Sequence, residues 1–275
     1  MSSRQYYGLL QTSGTGLERK KRYLSKALIY LKGKSVTLLQ EHGEPDTLSS
    51  VAITRATHCL GGDVCKMVVN FSEVDASDMA SSLSAMSDVI AVSCRHQTSV
   101  QRVADGATVP VVCLRSQGHD PITVFAELLA MLDHYGHLKR LTLSWVGPAR
   151  ARLYTYLQMM PRLGMHLRFC CPETEDVGEA EFGELVRRTI RLNTQFSRCA
   201  TVDEATYRAH VLATTGHGHE HLRIGEKHAA EAQLDWTFVQ DLPRGSSAAA
   251  DAVFAASRRS LVTAAWAATS QEVLA

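Results

Sequence analysis

The sequence predicts an α/β protein of two doubly wound domains, each a parallel sheet covered by helices on both faces. Three observations predict it. The stretch Leu138–Pro172 reads as strand, turn, helix, glycine stop and second strand. Segments of strand and helix type alternate through both halves of the chain. A helical stretch opening at Pro121 and closing at Gly136 lies between the two runs and divides the chain into domains 1–137 and 138–275.

In the first of these, Leu141, Leu143 and Trp145 alternate with Thr142, Ser144 and Val146, and the β-rich run ends at Gly147. Pro148 is expected in the first helical turn, where a missing amide costs nothing. Leu153, Leu157, Met160 and Leu163 follow at helical spacing, Gly164 stops the helix, and His166–Cys171 resumes an extended apolar run. Strand, helix and strand within about 30 residues make a parallel crossover.

Upstream, a basic helix is expected over Tyr23–Leu31 in preference to a cleaved leader, although residues 1–22 are basic enough to suggest a transit peptide. Strands follow at Ser35–Gln40, Cys65–Asn70, Asp88–Cys94 and Val109–Leu114. Helices separate them at Leu48–Leu60, Asp75–Met86 (capped by Asp75 or Ser77) and Thr98–Ala104, and Ile122–Tyr135 comes after. The second half predicts a helix at Glu179–Leu192 and strands near Arg198–Val202, His210–Thr214 and Trp236–Leu242. A last helix is expected over Ala248–Leu274.

At 275 residues the chain is long enough for two cores, and 45% hydrophobic with 21% charged residues is ordinary for a globular protein. A net charge of +1 provides no field for nucleic acid or a membrane surface, and no apolar run approaches the roughly 20 residues of a membrane span. The seven cysteines form no CxxC pair and read as reduced, buried thiols of an intracellular protein, mitochondrial or cytoplasmic.

The segments LKRLTLSWVG and RLGMHLRFCCP, with DWTFVQDLPR and RRSLV near the C-terminus, resemble the second domain of ornithine carbamoyltransferases. Gly33-Lys34-Ser35 and Leu60-Gly61-Gly62 fall in that family's order upstream. The resemblance implies a carbamoyl-phosphate-binding-like first domain and an ornithine-binding-like second one, with the last helix returning to the first. The family is trimeric, and a homo-oligomer is the corresponding expectation.

The resemblance is weakest where the chemistry should be. The family's Ser-Thr-Arg-Thr-Arg phosphate cradle is expected at a helix N-terminus, where amides and the dipole favour an anion. Counting from Leu60-Gly61-Gly62, the matching residues are Asp46, Thr47, Leu48, Ser49 and Ser50; counting from Gly33-Lys34-Ser35 shifts the match to Glu44–Leu48. Neither register contains an arginine, and a carboxylate about 4 Å from a phosphate repels it by several kcal/mol at an effective dielectric near 20. Ser93 replaces the strand-end arginine that touches the carbamoyl group. Asp120-Pro121-Ile122-Thr123 replaces His-Pro-x-Gln, with His119 one residue early, and Pro148–Ala151 replaces an Asn-rich turn. The loop at Thr215 lacks the ornithine-gripping residues. Gln240 and Asp241 replace the first two residues of His-Cys-Leu-Pro, while Leu242, Pro243 and Arg244 match, Arg244 reading either as a retained ligand group or as one turned to a structural ion pair.

Other constellations read blandly. His217, His219 and His221 fit a metal site or a Gly-rich surface loop, and the loop reading is adopted, so neither metal nor cofactor is expected. No G-x-S-x-G elbow supports a serine hydrolase. Arg187, Arg188 and Arg191 read as a solvated helix face. The expected function is that of a catalytically inactive carbamoyltransferase-like protein, a structural or regulatory subunit with protein partners in a larger complex. The alternative is an ornithine carbamoyltransferase-type enzyme with weak or altered amino-acid use.

Overall fold

The computed structural model describes residues 30–44, 47–215, 221–240 and 253. The described residues up to Leu129 belong to one compact unit and those from Ala130 onward to another. The expected helices at Tyr23–Leu31 and Ala248–Leu274 fall almost wholly outside the described residues.

The first unit alternates β1 (Ser35–Glu41), α1 (Thr47–Cys59), β2 (Asp63–Val69), α2 (Ala76–Ser84), β3 (Val89–Ser93), α3 (Gln97–Gly106) and β4 (Val111–Arg115). Its parallel sheet has the order β2-β1-β3-β4. Residues 36–40 of β1 are all buried, as a central parallel strand requires. Alternate side chains serve opposite faces: Val36 and Leu38 meet Ile53 and Ala56 of α1, whereas Leu39 joins Ala76, Ala80, Val100 and Val103 of α2 and α3. Asp75 caps α2, its carboxylate accepting from the amides of Ser77 and Asp78. Helix α4 (Pro121–Tyr135) carries the chain into the second unit.

The second unit continues with β5 (Thr142–Val146), α5 (Ala151–Leu163), β6 (His166–Cys170), a 3-10 turn at Glu173–Glu175, and α6 (Glu179–Arg191). It ends with β7 (Phe196–Arg198), α7 (Val202–Thr206), β8 (Val211–Thr214), α8 (Glu226–Ala230) and β9 (Thr237–Gln240). Its sheet is also parallel, ordered β7-β6-β5-β8-β9, with every residue of β5 buried. Gly164 closes α5 at φ +73°: its amide donates to Pro161 O, and that of Met165 to Met160 O. The α/β class, two-sheet architecture and parallel crossover are as the sequence predicts.

Several local expectations are corrected. Pro148 precedes α5, which begins at Ala151 with Arg150 at its N-cap. The strand expected at Arg198–Val202 lies at Phe196–Arg198, and Val202 instead opens a helix. Thr201 Oγ1 accepts from the amide of Glu204, and the Glu204 carboxylate accepts from that of Ala200. Helix α8 was not expected. All seven cysteines are free thiols, but only Cys94 and Cys170 are buried, and Cys65 is exposed. Its strand is a sheet edge that no neighbour covers among the described residues.

Candidate functional site

Strand order reverses once in each sheet, between β1 and β3 in the first and between β5 and β8 in the second. Open parallel sheets bind ligands beyond the carboxyl ends of their strands at such a point, because the two departing connections leave a crevice there. Each unit is therefore built outward from its own switch point.

In the first unit, β1 ends at Glu41 and α1 starts at Thr47, so Thr47, Leu48, Ser49 and Ser50 form the first turn of α1. That turn contains no cationic residue. Ser49 and Ser50 are buried. Ser50 Oγ donates to Gln40 Oε1 at 3.3 Å, and Gln40 Nε2 donates to the carbonyl of Glu44 at 2.9 Å, tying β1, the loop and the helix together. Asp46 lies outside the described residues.

Across the switch point, β3 ends at buried Ser93, and the next cation is Arg95. Arg95 is already engaged. Its backbone amide donates to Glu41 Oε2, and its guanidinium donates to Glu44 Oε1 through Nε at 2.7 Å and through Nη2. Between them, Cys94 is no nucleophile at neutral pH: burial pushes its thiol up to about 12, with Glu41 adding to the effect.

At the end of β4, Ser116 Oγ accepts from the amides of Gly118 and His119 and donates to Gln97 Oε1. Burial holds the His119 imidazole below its ordinary range. Asp120 Oδ1 accepts from the Thr123 amide at 3.4 Å with Pro121 in the first helical turn, so this segment starts α4 as an N-cap. Asp120 and Thr123 are both buried.

In the second unit, the ends of β5, β8 and β9 are laced to one another. Thr214 Oγ1 donates to Val146 O at 2.7 Å, and Gln240 Nε2 to Thr215 O at 3.4 Å. Gly147, at φ +146°, leaves its absent Cβ only 3.6 Å from the Thr215 side chain. Trp145 Nε1 donates to the carbonyls of Gly147 and Pro148 at 3.2 and 3.3 Å. Arg150 donates to Glu175 at 2.7 Å, and the Ala149 amide donates to Glu175 O. Where the family resemblance calls for an Asn-rich turn, this loop is pinned by its own backbone and an ion pair.

The structure thus places Thr47–Ser50, Ser93, Asp120 and Thr123 at the carboxyl edge of one sheet, and Thr215 and Gln240 at that of the other. Asp241 and Arg244 lie outside the described residues, as do His217 and His219. Among the described residues no group of three or more His, Cys, Asp or Glu side chains is arranged to hold a metal. The sequence reading reached Glu44 only as the first residue of the alternative cradle register and passed over Glu41, and it did not pair either with Arg95. Their signal was the pair of acids immediately after an apolar strand, in Glu41-His42-Gly43-Glu44.

No protein-family model matches the chain. It is 26% identical over 242 residues to the mitochondrial ornithine carbamoyltransferase of Aquarana catesbeiana, an alignment spanning 82% of this chain and 69% of that protein. It is 31% identical over 150 residues to the ornithine carbamoyltransferase of Desulfotalea psychrophila, spanning 53% of this chain and about half, 49%, of the other. The solved ornithine carbamoyltransferase of Gloeobacter violaceus superposes with a TM-score of 0.88, covering 100% of this chain and 94% of that one at 23% identity, a likeness of fold.

Proposed function

Because the chain is a homologue of the ornithine carbamoyltransferases and has their fold, we propose that it is a catalytically inactive member serving as a structural or regulatory subunit of a larger assembly. Residues 1–137 correspond to the carbamoyl-phosphate half and 138–275 to the amino-acid half. One observation carries the reading. The helix start that should cradle a phosphate has no cation, and Arg95 beside it is held by Glu44 and Glu41. Each charge-assisted contact is worth about 1.5–3 kcal/mol, so losing three of them costs several powers of ten in affinity.

The edge strand β2 supports a role carried by a surface. Met67 and Val68 are 40% and 56% exposed, with Cys65 and Lys66 exposed beside them, and among the described residues no strand pairs with this edge, a liability unless a partner does. A partner protein or further copies of this chain suit that edge. Among the described residues no helix is long and apolar enough to cross a membrane. We assign the assembly to the mitochondrion or cytoplasm.

The test is a citrulline-forming assay of the purified protein beside calorimetry with carbamoyl phosphate. The expected outcome is no citrulline above the blank and no micromolar binding. Turnover with ornithine or another amino acid would install the enzyme reading instead.

A further inference from the structure

The Arg95 guanidinium turns two donors, Nε and Nη2, onto one carboxylate oxygen, Glu44 Oε1, the kind of oxyanion that a guanidinium also binds on a phosphate. Its partner here is supplied by the chain. Glu44 sits in the loop after β1, fixed by two backbone contacts: its amide donates to Glu41 O at 3.3 Å, and its carbonyl accepts from Gln40 Nε2 at 2.9 Å. Gln40 in turn accepts from Ser50 at the start of α1. The carboxylate is therefore presented to Arg95 by a loop braced against both the strand and the helix at the β1/β3 switch point.

We propose that Glu44 is an intramolecular stand-in for an external oxyanion, occupying Arg95 and closing a latent anion site at the carboxyl ends of β1 and β3. This rests on the inactive reading and gives it a mechanism. A tethered carboxylate meets Arg95 without the translational cost that a free ion must overcome. The Glu41 carboxylate, on the Arg95 backbone amide, puts a second negative charge beside this pair, which repels an incoming anion.

The experiment titrates inorganic phosphate at low salt, where charge pairing is least screened, into full-length protein observed by NMR. The unmodified protein should show no saturable shift. Glu44→Gln should show one, with affinity improved by about tenfold or more, and adding Arg95→Met should abolish it. Three results overturn the proposal: saturable binding by the unmodified chain, none by Glu44→Gln, or equal binding with and without Arg95. If Glu44→Gln does not fold, Glu44→Ala takes its place. Citrulline formation by the unmodified chain would defeat the inactive reading, while the phosphate arms still decide what Glu44 does.

Discussion

The backbone amide of Thr142 donates to Nδ1 of His210 at 3.1 Å, so the entrance of β5 is bonded by an imidazole at the start of β8. His166 repeats the arrangement one strand away, its Nδ1 accepting from the Gln195 amide at 3.0 Å. Both rings must be neutral at Nδ1 to accept.

Acid should therefore loosen the second unit. Burial holds both histidines below their ordinary 6.5. For His210 the nearby His137, His166 and Arg168 add to this, and for His166 Arg168 and Arg140 do. A lowered folded pKa means that the unfolded chain takes up the proton first. The stabilisation is complete above about pH 6.5 and is lost as pH falls from there through the lowered folded pKa. Thermal unfolding between pH 8 and pH 5 should show the midpoint dropping below pH 6.5, with a shallower drop in His210→Asn. A flat profile over that range would contradict the assignment.

Trp145 is wholly buried against Tyr156, ring centroids 6.0 Å apart, with Arg152 5.5 Å from the indole. Truncating Trp145→Ala should cost about 3–5 kcal/mol in equilibrium urea unfolding. Trp145→Phe keeps most of the apolar volume but strips the donor from two carbonyls, and should cost about 1–3 kcal/mol.

Glycine substitutions should split by sign. Alanine is the better helix former by about 1 kcal/mol, so Gly183→Ala, where the added methyl meets nothing, should stabilise. Gly106, at the end of α3, lies against α2. A Cβ there would come within 2.2 Å of Ser77 O and 2.5 Å of Ser77 Cα, which forces the helices apart. Gly106→Ala should therefore destabilise by about 1–3 kcal/mol despite the propensity gain, as urea midpoints will show.

Asp120→Ala should cost the first unit about 1 kcal/mol through the lost cap of α4, and Asp120→Asn much less, since the amide oxygen still accepts. Loss of stability in both variants alike would mean that the charge, not the cap, is what matters.

Much of the framework was legible in the sequence because its causes are local. The buried run of β1, the Asp75 cap, Pro121 at the head of α4 and Gly164 at the end of α5 each act within one turn or strand. The loss of cations at Thr47–Ser50 and Ser93 was equally plain, since an absent side chain needs no fold to be noticed. The Thr201–Glu204 cap was also written there, but the apolar run before it was carried one element too far.

What only the tertiary structure decided is where charges separated in sequence come to rest. Arg95 lies 51 residues from Glu44 and 54 from Glu41, and they meet only because β3 pairs with β1 in parallel, with the connections leaving to opposite sides. Likewise, His210 becomes an acceptor for Thr142 because β8 aligns beside β5, 68 residues away. Periodicity fixes which face of a strand is buried, a one-chain property. Strand order and register emerge from packing the whole sheet, and they turn Glu44 into the partner of the arginine just beyond the neighbouring strand.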